Sequence, residues 1–224
     1  MSNSTADVAV VRRGVPWRFL GLLGAAAFLA FSFWVIVALP YFTLDREHFG
    51  SYPDVFWPRR YQLLLHIIGG TVALLAGPLQ LWLGETRRQL GWHRKLGKVY
   101  VAGVGVGALG AYYLALTTPA EPGWVYASGL FGLAVAWTIT TGMAYIAIRG
   151  RVIEQHREWM IRSYVVTLAF VFFRLFVAVL DGFQIGEPLE RYKAAAWICW
   201  AVPLLITEPF LQLRKLRRAT RHSV

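Results

Sequence analysis

The chain has 224 residues, 57% of them hydrophobic, with 10 Trp and a mean hydropathy of +0.47. That is too apolar for a soluble domain of this length, and the apolar residues come in long blocks rather than in periodic stripes. The single cysteine, Cys199, excludes an intrachain disulfide framework and any Cys-based zinc or iron–sulfur site, and the net charge of +11 raises nucleic acid as a partner until the charges are placed.

Residues 1–16 read as a polar, basic tail, disordered by composition. The first apolar block, 17–39, is longer than the roughly 7–15 residues of a secretory signal core, so it reads as a retained anchor helix. A loop over 41–60 is rich in Pro and aromatics, with Tyr52 and Trp57 suited to a membrane interface. The second span, 61–83, carries His66, Gly70, Ala73, Gly77 and Gln80 along one helical face. Gly77-Pro78 should bend it, and a neighbour must satisfy the carbonyl that Pro leaves free. A basic connection with Gly91-Trp92-His93-Arg94-Lys95 leads to a third span, 99–116, where Gly103, Gly107 and Ala111 form a packing seam.

A turn with Pro119 and Pro122 precedes the fourth span, 124–148, whose Thr138, Thr141 and Tyr145 make a mildly polar face. A second basic connection carries His156-Arg157. The fifth span, 159–180, is apolar yet holds Arg174, eighteen residues or five helical turns after His156. In one continuous helix both side chains share a face with Met160, Ser163, Thr167, Ala178 and Asp181. The sixth span, 194–213, ends near Glu208-Pro209, and 214–224 is a basic tail.

Each block approaches the roughly 20 residues that a spanning helix needs. The fold class is therefore all-α, a polytopic membrane protein with six transmembrane helices in one bundle. Of the 23 Lys and Arg, seventeen fall on one side, five on the other and Arg174 within a span. Every loop obeys the positive-inside rule, which places both termini in the cytoplasm of a bacterial inner membrane. Topology and an anionic inner leaflet account for the charge, so nucleic acid is set aside and anionic lipid is the expected partner of the basic side.

Depth then sorts the polar residues. His66 and Arg174 lie at similar depth below the outer face, with Asp181 and Tyr61 near them. His93 and His156 lie at the inner ends of their helices, with Glu208, Lys98 and Arg162. A cation at membrane depth costs at least about 2.5–3.5 kcal/mol, so Arg174 is expected to face protein or water and to have a partner. No nucleophile–base constellation, metalloprotease motif or phosphate loop is present, and no metal site is assigned. The histidines also fit a plainer role as hydrogen-bonded packing residues.

Three motifs stand out together: Leu65-His66-Ile67-Ile68-Gly69-Gly70 with Gly77-Pro78-Leu79-Gln80; His93-Arg94-Lys95-Leu96-Gly97-Lys98-Val99-Tyr100; and His156-Arg157-Glu158-Trp159-Met160-Ile161-Arg162-Ser163, followed by Arg174. In these the chain resembles a family of bacterial predicted membrane proteins labelled domain of unknown function 2306. That resemblance implies an architecture and no reaction. More loosely the chain is similar to six-helix di-haem b cytochromes. This second likeness implies haem b at an inner site, with His93 and His156 as axial ligands and Arg94 and Arg162 pairing the propionates. The outer pair is incomplete, because the fourth span has no histidine. Two further readings stand beside it: a transporter or small-molecule or lipid-binding protein using His66, Arg174, Gln80 and Asp181 for an anionic or quinone-like ligand, and a non-catalytic accessory subunit.

Overall fold

The computed structural model describes residues 17–49, 53–87, 89–117 and 123–220; the expected tail 1–16, Tyr52, Pro119, Pro122 and the last residues of the basic tail lie outside them. Every regular element among the described residues is helical. Helix α1, Trp17–Phe33, runs on through a π-helical turn, Trp34–Ala38, into a 3-10 turn, Leu39–Thr43. Short turns at Arg46–Phe49, Pro53–Phe56 and Trp57–Arg59 cap that end of the bundle. Then follow α2, Arg60–Thr86; α3, Leu90–Thr117; α4, Trp124–Arg149; α5, Ile153–Thr167; α6, Ala169–Gly182; and α7, Pro188–Thr220. Five continuous segments are long and apolar enough to cross a membrane, and α5 with α6 makes a sixth if the pair is one span.

The continuous fifth helix expected from the sequence is corrected here. The chain breaks at Leu168, and α6 leaves the line of α5 by 46°. No Gly or Pro marks the place. Beside the break, the Thr167 hydroxyl donates to the Ser163 carbonyl one turn back at 2.8 Å, an i−4 bond of the kind that bends helices. Two other helices hold that hydroxyl in place: Trp137 Nε1 donates to it at 2.9 Å and Tyr100 reaches it at 2.8 Å.

The closest helix pair is α2 with α3. Its contact is backbone on backbone. A Cβ on Gly110 would lie 2.7 Å from the Gln62 carbonyl, and one on Gly69 would lie 2.7 Å from the Gly107 Cα. Gly103 and Gly107 of the expected seam do face α2, and Gly110 joins them in place of Ala111; on α2 it is Gly69 rather than Gly70 whose Cβ would strike α3, while Gly70 and Ala111 line a cavity. Helix α2 runs unbroken through Pro78. Proline removes the donor for the Leu74 carbonyl, and the Tyr164 hydroxyl donates to that oxygen at 3.3 Å in its place. Gly77 makes room for the Tyr164 ring.

Helix α7 has 33 residues, about 50 Å at 1.5 Å per residue, longer than a bilayer core is thick. Its last turns stand at the end of the bundle that carries the basic connections, hereafter the basic end. There Arg214 and Lys215, the first residues of the basic tail, pair with Glu85 and Glu158 at 3.6 and 2.8 Å.

Candidate functional site

The end opposite the basic one holds a cavity of about 250 Å³. Helices α2, α3 and α4 supply its floor and one wall, including Leu63, His66, Gly70 and Trp137. The broken span supplies residues from both sides of its bend: Val166 and Thr167 from α5, and Phe170, Phe173 and Arg174 from α6. Phe49, 1% exposed, closes the mouth and stands edge-on to Tyr41 and Trp57 at ring separations of 5.4 and 5.1 Å.

The walls are mostly apolar, and two strongly polar side chains enter them. His66 donates from Nδ1 to the Gly107 carbonyl at 2.9 Å, across the α2–α3 contact. A carbonyl only accepts, so the proton sits on Nδ1 and Nε2 is left without one. The ring lies edge-to-face with Trp137 and Phe170, at 6.1 and 5.9 Å. Arg174 is exposed on α6 and lines the same cavity. Among the described residues it has no hydrogen-bond or ion-pair partner. Asp181 is engaged elsewhere: it pairs with Arg191 at the start of α7. Tyr61 lies exposed under the Arg60 guanidinium, 4.5 Å from its ring centre.

A chain of hydroxyls runs from the cavity floor into the bundle. Thr167 gives its only hydroxyl proton to Ser163 O, so it accepts from Tyr100. Tyr100 then accepts from Ser163 Oγ at 2.8 Å, and Ser163 accepts from Thr141 at 2.7 Å. From Thr141 through Ser163 and Tyr100 each hydroxyl donates towards Thr167, which turns its own proton back to the Ser163 carbonyl. Tyr100 and Ser163 are fully buried, and every hydroxyl in the chain has a partner, as burial requires.

The basic end is a separate site. Gln80 was expected with His66 on one face of α2, but fourteen residues of helix, about 21 Å, part them. Gln80 Nε2 instead donates to the His93 carbonyl at 3.0 Å. The His93 and His156 rings are 6.4 Å apart, and His156 donates from Nδ1 to the Ala144 carbonyl at 2.9 Å. Two imidazoles at that spacing could share a metal ion, but a haem needs a slot for its macrocycle. The surroundings of His93 are filled: a Cβ on Gly84 would lie 3.1 Å from His93 Cε1, and one on Gly97 would lie 2.7 Å from the Gln80 amide nitrogen. The cavity described above is lined by neither histidine. Arg162, expected on a propionate, is held by Glu208 through Nε at 2.5 Å and Nη2 at 2.9 Å, with Glu158 at 3.7 Å. Arg94 is exposed. These residues do not fit a haem. Among the described residues no three His, Cys, Asp or Glu side chains converge to hold a metal ion.

A helical bundle of segments long and apolar enough to span a bilayer defines a polytopic integral membrane protein, and this one encloses a mostly apolar cavity. Residues 63–211 match the family described as predicted membrane protein (DUF2306), and the chain belongs to that family. No curated protein and no solved structure matches the chain.

Proposed function

We propose that the protein binds an amphipathic small molecule in this cavity, with an oxygen-bearing polar head towards Arg174 and His66 and an apolar body against the aromatic and aliphatic walls. The protein sits in a bacterial cytoplasmic membrane with both termini inside. The cavity then lies in the outer half, and the exposed Arg94, Lys95 and Lys98 lie against anionic headgroups of the inner leaflet.

The observation that carries the proposal is the state of Arg174. A guanidinium within a spanning segment is costly, and the carboxylate nearest to hand in the chain, Asp181, is already paired with Arg191. An acceptor oxygen brought by a ligand offsets that cost in a way no described side chain does.

The test is retention. Wild-type protein purified in mild detergent and extracted into organic solvent should release an amphiphile near one equivalent per chain, read by mass spectrometry. Arg174→Gln should retain at least about tenfold less, because a charge-assisted hydrogen bond contributes roughly 1.5–3 kcal/mol and tenfold is about 1.4 kcal/mol. Equal retention by the two proteins contradicts the proposal.

A further inference from the structure

The polar groups of the cavity restrict the head group further, in an inference that rests on the ligand-binding reading above. His66 spends its Nδ1 proton on Gly107 O, and among the described residues no carboxylate pairs with the ring to hold a second proton. What the imidazole offers the cavity is therefore the Nε2 lone pair, an acceptor. Arg174 offers only donors. The pair thus asks for a head that both gives and takes a hydrogen bond. A carboxylate or a quinone carbonyl satisfies Arg174 but sets lone pair against lone pair at His66. Phe33, Tyr126, Trp137, Phe170 and Phe173 supply ring faces and edges around the same space, a surface suited to a flat aromatic group.

We infer that the cavity takes a hydroxylated aromatic ring with a hydrocarbon tail, a quinol or phenol-type head, whose O–H donates to His66 Nε2 and whose oxygen or ring face meets the Arg174 guanidinium. The reduced, hydroxyl-bearing form is the ligand and the oxidised carbonyl form is not. Discrimination of this kind is strong, because a site built around one hydrogen bond leaves its own buried atom unpaired when the ligand lacks the matching group.

Three probes of one chain length test it on the full chain in detergent, by equilibrium dialysis: a 4-alkylphenol, its methyl ether and the alkyl carboxylate. The phenol should bind about tenfold or more tightly than the ether, and more tightly than the carboxylate. In His66→Gln the phenol-to-ether ratio should fall to about twofold, because an amide can turn either a donor or an acceptor edge to the ligand. The wild-type ranking alone suffices if that variant does not fold. Equal binding of phenol and ether, or a preference for the carboxylate, overturns the inference and leaves the cavity as a ligand site. Saturable binding of none of the three also overturns it, and the Arg174→Gln retention experiment decides the broader reading separately.

Discussion

Gly69→Ala should cost at least about 3 kcal/mol, beyond the usual overpacking range of roughly 1–3 kcal/mol, whereas Gly70→Ala should be neutral or stabilising. The added Cβ at 69 is the smallest side chain there is, but it meets the backbone nitrogen of Gly107 and the carbonyl of Gly103, which no rotamer change can move aside. The helices must part instead, and the His66–Gly107 hydrogen bond bridges that same contact. The loss therefore reaches the cavity as well as the fold. At Gly70 a Cβ has nothing within 4 Å, and alanine gains about 1 kcal/mol in helix propensity over glycine. Apparent melting temperature in one detergent, read for both variants beside wild type, checks the contrast. Equal melting temperatures would mean that α2 and α3 do not touch through their backbones.

Arg162→Met should destabilise by about 3–5 kcal/mol, the cost of leaving a buried charge without its partner. Arg162 and Glu158 are each only 10% exposed in their side chains, and the arginine also forks onto Glu208 of α7. Glu158 keeps Lys215 at 2.8 Å, so the lysine should blunt part of the loss. Adding Glu158→Gln to Arg162→Met should then recover stability, because it removes the stranded charge. A melting curve for Arg162→Met indistinguishable from wild type would show that the contact between α5 and α7 is held by packing alone.

Most of the architecture is legible in the sequence because a bilayer penalises unsatisfied backbone so heavily that long apolar blocks have one outcome. The helical blocks and the sorting of basic residues by loop follow from that rule. The break at Leu168 was not legible. It sits in an apolar run with no Gly or Pro, beside a Thr167 whose hydroxyl is engaged by Tyr100 and Trp137 from other helices. The one local signal was a threonine able to bond back one turn. Gly103 and Gly107 are legible as seam positions from their spacing, whereas Gly69 and its neighbour Gly70, and Gly110 and its neighbour Ala111, are distinguished only by their contacts. Depth arithmetic placed His66 and Arg174 at one level, and they line one cavity. Gln80 shares its helical phase with His66 but stands fourteen residues further along α2, so phase without depth misgroups them. Asp181 could not be placed from the sequence because its partner, Arg191, comes from another helix.

The account turns on the space between His66 and Arg174 being a site rather than a packing fault, and Gly70→Leu addresses that most directly. Gly70 lines the cavity, and a Cβ there has nothing within 4 Å, so the leucine fills space that a ligand would use. The measurement is the amount of co-purifying amphiphile per folded chain. The expected result is a variant as stable as wild type that retains at least about tenfold less ligand, a difference of about 1.4 kcal/mol or more in binding. A stable Gly70→Leu protein that still carries its full complement of ligand would place the binding site elsewhere and contradict the account.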